Sequence, residues 1–314
     1  MAIHNLVINY AQLKQAPQIA IDRNTGIPIN GYVVVKTIRA DRFIDDGNDS
    51  PIKEDYPIIF TTDPAILQEM QTWSKNDMVE IKGTFATRKI NKSQTCPKCG
   101  TRVEKEGELS YINPIYAKKR AHVSNDDDAH ANLVENREIS NIAFMLGRIC
   151  IEPKKIVTAK NKVIVQYPLA VNRKYRNKFD EIDEKTDYPW IKEYGEMAAN
   201  DLEKIHVNTI VFVDGCVQAR TIKRACTCPN CKIKFEWPDK TMEIAPYSVE
   251  YVDNYYTDED ILKMKEEESN KHMTKEDFDK TEESKDEDNV LSEEDKSRMN
   301  NILVNIFDDD ENEE

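Results

Sequence analysis

The chain has 314 residues, 44 Lys plus Arg against 58 Asp plus Glu, a net charge of −14 and seven cysteines. That length allows about two domains and an appendage, and the longest apolar runs, such as TIVFV at 209–213, fall far short of the roughly 18 residues that cross a bilayer. No basic start followed by a long apolar stretch opens the chain, so the reading is a soluble, cytoplasmic protein with no signal peptide and no membrane contact.

In chain order, the first distinct element is a helix over 63–73 (DPAILQEMQTW). Asp63 is a good N-cap, and Pro64 takes the first helical position, where its missing N–H costs nothing. MVEIKGTFATRKI (78–90) follows, then the pair Cys96-Pro-Lys-Cys99. A linker at 124–138 leads to strands predicted at 141–151, 162–173, 187–194, 208–221 and 241–252, all rich in β-branched and aromatic residues. A helix at 195–206, with Met197, Leu202 and Ile205 at helical spacing, separates the third strand from the fourth. Cys228-Pro-Asn-Cys231 falls between the fourth and fifth. Beyond 254 the chain is mostly Glu, Asp, Lys, Ser and Asn, a composition that predicts disorder apart from a short helix at 261–268. Residues 255–314 carry 23 acidic and 8 basic side chains, a net of −15, which leaves +1 for residues 1–254. A near-neutral body with a strongly acidic end reads as a binding region with an interaction tail.

The chain repeats itself. Asp55-Tyr56-Pro57 recurs as Asp187-Tyr188-Pro189, and the same offset of 132 pairs residues 78–90 with 210–222, Cys96 with Cys228, Cys99 with Cys231 and Pro114 with Pro246. Upstream the offset becomes 134 for Arg39 and Arg42 against Arg173 and Arg176, and 136 for Asn5 and Pro17 against Asn141 and Pro153. Small length changes of this kind belong in hairpin loops. Five strands with one helix between the third and fourth predict an OB-fold, a small and partly open barrel, against the competing reading of an unrelated small β-barrel such as an SH3-like domain. The expected plan is all-β dominated: one OB barrel over 1–123, the linker at 124–138, a second OB barrel over 139–254, and the acidic tail from 255 to 314.

The second copy resembles bacterial single-stranded DNA-binding proteins. NIAFMLGRICIEP (141–153) is similar to their first strand, VQYPLAVNRKYRNK (165–178) to their second, and residues 186–221 to their third strand, helix and fourth strand. The first copy connects to the family only through the duplication, and its NYAQLKQAP lacks the Gly-Arg pair of MLGRICIEP. The CPxC pairs fall in a hairpin where the family has a plain loop. The chain thus looks like a tandem, zinc-knuckled variant of the kind a phage or mobile element would carry.

Holding a single strand without reading its sequence takes cations along a groove and flat rings on which bases stack. The second copy offers Arg173, Lys174, Tyr175 and Arg176, then Tyr188, Trp190 and Tyr194, whose even spacing directs them to one face of a strand. Arg220, Lys223, Arg224 and Trp237 follow on the hairpin. The resemblance implies stacking at Tyr175, Tyr188 and Tyr194. The first copy has Arg39, Arg42, Phe43, Tyr56, Phe60, Arg88, Lys89 and Lys92 in comparable places, but Ile58 and Thr62 replace the tryptophan and the last tyrosine. The second domain is therefore expected to bind more strongly. Rings packed in the core and an ordinary solvated charged face are the competing readings.

A CPxC turn presents two thiolates, and a structural zinc site takes four ligands. Three completions are open: Cys96, Cys99, Cys228 and Cys231 share one zinc; each pair recruits local ligands such as Cys226, His122 or His130; or the thiols are free or redox-active. In a reducing cytosol the CxxC spacing favours metal or redox chemistry over a disulfide. Cys150 and Cys216 read as small core residues.

At the tail tip, Ile302, Leu303, Val304, Ile306 and Phe307 precede a run of acids, and this apolar cluster suggests a docking site for replication or recombination proteins. No paired carboxylates, Gly-rich phosphate loop or Ser/His/Asp set stands out. The expected function is non-enzymatic, sequence-independent binding of single-stranded DNA, with structural zinc. The alternatives are a zinc-containing accessory subunit of a nucleic-acid-processing enzyme, an RNA-binding OB protein, and a peptide-binding scaffold. The sequence leaves open whether the chain forms a homo-oligomer.

Overall fold

The computed structural model describes residues 5–40, 52–159, 161–176 and 182–267. Arg42 and Phe43, and the tail residues Ile302, Leu303, Ile306 and Phe307, lie outside them. The first unit comprises β1 (Asn5–Leu13), β2 (Gln18–Ile21), β3 (Pro28–Ala40), β4 (Ile52–Asp55), β5 (Ile58–Thr61), α1 (Pro64–Met70), β6 (Asp77–Thr95) and β7 (Arg102–His122). Two short helices, α2 (Asp126–Glu135) and α3 (Arg137–Ser140), lead to the second unit. That unit comprises β8 (Ile142–Ile149), β9 (Lys154–Val157), β10 (Val163–Arg176), β11 (Ile182–Asp187), β12 (Trp190–Tyr194), α4 (Gly195–Lys204), β13 (Ile210–Thr227) and β14 (Lys234–Asp253).

Each unit closes on itself. In the first, β1 pairs with β6, β6 with β7, β7 with β5, β5 with β3, and β3 with β1. In the second, β8, β13, β14, β12 and β10 make the same circuit. The one parallel contact in each ring is Ile59 against Ile112 and Ile191 against Ile244, again 132 apart. Alternating apolar residues fill the barrels, among them Val7, Val33, Ile81 and Phe85 in the first and Tyr167, Leu169, Val211 and Val213 in the second. The predicted α1 forms as expected: Asp63 Oδ1 accepts the Ala65 and Ile66 N–H groups at 2.7 and 3.3 Å.

Two devices recur in both units. Asn5 clips onto Phe85 through the backbone, its Nδ2 donating to the carbonyl at 2.8 Å and its Oδ1 accepting the N–H at 2.7 Å. Asn141 makes the same pair with Val217, at 2.8 and 2.9 Å. The β6–β7 and β13–β14 ladders also shift register at Gly83 and Gly215. A Cβ at either glycine would lie 2.4 Å from a carbonyl oxygen, of Asn113 or Ala245, so only glycine permits that approach.

The units are fused edge to edge. β1 and β8 pair antiparallel, Asn5 with Met145, Val7 with Ala143 and Ile8 with Ile142, which makes one continuous 14-stranded sheet of the described strands. Since Val7 and Ala143 are 136 apart, as are Asn5 and Asn141, the pairing is centred on equivalent residues. It has the self-complementary form of a two-fold contact.

The predicted linker is helical. Asn125 Oδ1 caps α2 by accepting the Asp128 N–H at 2.8 Å, and Ala129 and Leu133 pack on Tyr10, Ile38 and Met78 of the first barrel. Past the second barrel, residues 258–267 form a helix. Ile261 is buried, and the ion pairs Lys204–Asp258 and Lys265–Glu203, both 3.0 Å, hold the helix to α4. The short helix expected at 261–268 thus forms and begins three residues earlier, anchored by one apolar residue and two ion pairs. Among the described residues no helix is long and apolar enough to cross a membrane.

Candidate nucleic-acid interface and metal centre

Beyond their barrels, β6–β7 and β13–β14 continue as long two-stranded arms, paired as far as Thr95 with Arg102 and Thr227 with Lys234. The arms end in the CPxC turns and meet there. Cys96 Sγ lies 3.6 Å from Cys231 Sγ, and Cys99 Sγ lies 3.5 Å from Cys228 Sγ. All four sulfurs fall within 4.8 Å of one another. Zinc–sulfur bonds of about 2.3 Å in a tetrahedron place sulfurs roughly 3.8 Å apart, whereas a disulfide needs about 2.0 Å. The spacing therefore suits four separate metal ligands.

Cys96 and Cys228 are buried, and Val103, Ile233 and Phe235 pack around them. Hydrogen bonds from Thr101 bring the Cys99 thiol down to about 6, and backbone N–H groups of the turn lower Cys228. Against the lowering backbone hydrogen bond at Ile233, Cys231 is pushed up to about 11 by desolvation and by hydrogen bonds with Cys99, Cys96 and Cys228. Four sulfurs this close ionise together only around a cation. The proposed local ligands are elsewhere: His122 Nδ1 is 2.7 Å from Asp77, and His130 Nδ1 is 3.8 Å from Glu54. Cys226 borders the cluster without entering the set of four. Cys216 is core, but Cys150 is exposed just past the end of β8, its Sγ 3.3 Å from the Pro168 carbonyl oxygen. The core reading of Cys150 fails because the strand stops one residue short of it.

The candidate ligand-facing residues divide by burial. Tyr188 and Trp190 stand 45% and 40% exposed, while Asp187, Pro189 and Ile191, which alternate with them, are buried. Tyr56, the counterpart of Tyr188, is 37% exposed, and its hydroxyl donates to Glu54 at 2.6 Å. Tyr194 is half-buried beneath Lys192, whose Nζ is 5.8 Å from the ring centre. Phe60 packs edge-on against Tyr111 at 5.2 Å. Arg88, Lys89 and Lys223 are exposed. Arg220 pairs with Glu243 at 3.1 Å, Arg224 with Asp239, and Lys92 also with Asp239 across the two arms at 2.6 Å.

Two expected ligand-facing side chains are buried instead. Arg39 is 7% exposed and bound to Asp55 at 2.7 Å, an ion pair that occupies its guanidinium. Trp237 is 5% exposed and lies against Phe235 within the arm. Arg173, Lys174, Tyr175 and Arg176 form the end of β10, in register with Lys185, Glu184, Asp183 and Ile182 of β11.

Sequence reasoning used Asp55 and Asp187 only to set the repeat. In the fold they are the cross-braces: Asp55 Oδ1 accepts the N–H of Ala219, and Asp187 Oδ1 that of Thr87, both at 2.9 Å. Each aspartate belongs to one unit and each N–H to the root of the other unit's arm. An aspartate repeated before an exposed Tyr-Pro was the available signal.

Residues 140–227 match the single-strand binding protein family. That match falls on the second unit. A curated relative, the single-stranded DNA-binding protein of Aquifex aeolicus, is 29% identical over 75 residues, which are 24% of this chain and 51% of that protein. The chain thus spans about half the length of the curated relative it matches. Among solved structures, a deletion mutant and the wild type of the Thermus aquaticus single-stranded DNA binding protein have TM-scores of 0.53 and 0.51 at 13% and 11% identity. Each comparison covers 81% of this chain, with 97% and 95% of the other. Coverage of 81% is more than either unit supplies, so the likeness in fold extends over both barrels.

Proposed function

We propose that this protein binds single-stranded DNA without sequence preference, as a non-enzymatic protein of DNA replication or recombination. One observation carries the reading: the unit that matches the single-strand binding protein family is also the unit with two adjacent exposed rings, Tyr188 and Trp190. Stacking on such rings tolerates any base, and exposed cations such as Lys223 meet phosphates. The test is titration of fluorescent oligothymidine, duplex DNA and RNA at several salt concentrations. The reading requires strong preference for single-stranded DNA and affinity that falls as salt rises. Equal binding of RNA would shift the ligand, and indifference to oligothymidine in dilute buffer would end the proposal.

Cys96, Cys99, Cys228 and Cys231 are the proposed ligands of one zinc ion shared by the two arms. A closed site of four thiolates has no open position for water, so the ion's chemistry there is structural. The acidic tail, with Ile302, Leu303, Ile306 and Phe307, is proposed to recruit partner proteins, and the cytoplasm is the proposed location.

A further inference from the structure

The exposed rings of the second unit do not stand apart from the first unit. Asp187, which precedes Tyr188, accepts the Thr87 N–H at 2.9 Å, and the Tyr188 N–H donates to Thr87 Oγ1 at 3.0 Å. Thr87 lies at the root of the first unit's arm, and the next two residues, Arg88 and Lys89, are exposed. At about 3.3 Å per residue, Lys89 Cα falls within roughly 7 Å of Thr87 Cα along the strand. Lys89 has a loose surface partner, Glu106 at 3.8 Å with both side chains largely exposed, and such pairs exchange readily for a phosphate.

The opposite junction is built from the same parts but differs in chemistry. Asp55 holds the Ala219 N–H, yet alanine has no hydroxyl to receive the N–H of Tyr56. Arg220, the counterpart of Arg88, is tied to Glu243, whereas Tyr111 occupies the matching position beside Arg88. Among the described residues, the junction with two exposed rings is therefore the one whose first two arm cations, Arg88 and Lys89, are exposed and held by no close ion pair, whereas Arg220 is held at 3.1 Å.

We infer that the rings of the second unit and the arm cations of the first form one composite site: a strand stacked on Tyr188 and Trp190 passes its phosphates to Arg88 and Lys89. This rests on the single-strand reading above and adds that the binding path crosses between units.

The test is photocrosslinking of the full chain to an oligothymidine of about eight nucleotides, within the roughly 4–16 spanned by one OB barrel. One internal 4-thiothymidine serves as the probe, and crosslinked peptides are mapped by mass spectrometry. The composite site predicts that crosslinks at 87–89 fall about fivefold or more in Tyr188→Ala/Trp190→Ala, the loss expected when a base loses its stacking partner. In Tyr56→Ala those crosslinks should persist. Both changes are at exposed rings, and melting curves confirm that the variants fold. Arm crosslinks that follow Tyr56 instead, or that ignore both changes, overturn the composite while leaving single-strand binding intact. A wild-type chain that neither binds nor crosslinks oligothymidine removes the single-strand reading and the composite with it.

Discussion

Val7 and Ala143 face one another across the β1–β8 pairing, at equivalent positions of the two repeats. The aspartate braces and the four cysteines are arranged about the same approximate axis: Asp55 to Ala219 mirrors Asp187 to Thr87, and Cys96 to Cys231 mirrors Cys99 to Cys228. The duplicated chain is an internal dimer with crossed arms.

The asparagine clips should carry real stability. Asn141→Ala removes both partners of the Val217 backbone and leaves a buried N–H and C=O unpaired, each worth about 1–3 kcal/mol. Urea unfolding should show a loss of roughly 2–4 kcal/mol, and a shift under 0.5 kcal/mol would mean that water replaces the clip.

Gly215→Ala should also destabilise. The added methyl meets the Ala245 carbonyl oxygen at 2.4 Å, a contact with backbone that cannot step aside cheaply. A loss of about 1–3 kcal/mol is expected from overpacking, measured as a lower melting temperature, with Gly83→Ala behaving alike.

A buried acid pair predicts pH dependence in the second barrel. The Tyr167 hydroxyl donates to Glu193 Oε1 at 2.5 Å and the Tyr251 hydroxyl to Asp201 Oδ1, which leaves Glu193 Oε2 and Asp201 Oδ2 buried with no other donor. Burial first, then the Asp201 charge, pushes the Glu193 carboxyl well up, and burial raises Asp201. A proton held on Glu193 and directed at Asp201 satisfies both oxygens. The folded state binds this proton more tightly than the unfolded chain, so its stabilising effect is complete below the ordinary carboxyl range and is lost as pH rises toward the raised value. Glu193→Gln keeps the hydrogen bonds without the titration. Its melting temperature should exceed the wild type's by more at about pH 8 than at about pH 5.

Purified protein should contain about one zinc per chain, and Cys99→Ser or a strong chelator should remove it. Melting temperature should fall with the metal while the barrel sheet signal in circular dichroism persists, because the cores do not depend on the arms. About two zinc ions per chain would disprove a shared site.

Salt should read out the arm cations. If Arg88 and Lys89 each meet a phosphate, Arg88→Ala/Lys89→Ala should lower the slope of log affinity against log salt by about 1.4, near 0.7 per contact on a single strand. An unchanged slope with weaker binding would point to lost packing.

The barrels were legible because their signals are local. Strand composition, the helix between the third and fourth strands, and a constant offset all lie along the chain. Asp63 capped its helix as read. The burial of Arg39 was not legible, since it depends on Asp55 meeting it from β4 across a ladder. The crossed braces were hidden for the same reason: Asp187 and Thr87 are 100 residues apart, and no period links them. The shared cysteine set was one of three open completions, and the crossing of the arms favours it over the others.

The cysteine pairs also bear on how the molecule responds to dilution. Had the two units been separate copies, a metal joining them would bind only when copies met, and scarcity would open the clasp by mass action. Here both halves of the ligand set travel on one polypeptide, joined through α2 and α3, so each half sees the other at a fixed effective concentration. The zinc proposed for Cys96, Cys99, Cys228 and Cys231 would therefore be held with a strength that does not depend on how many molecules the cell holds.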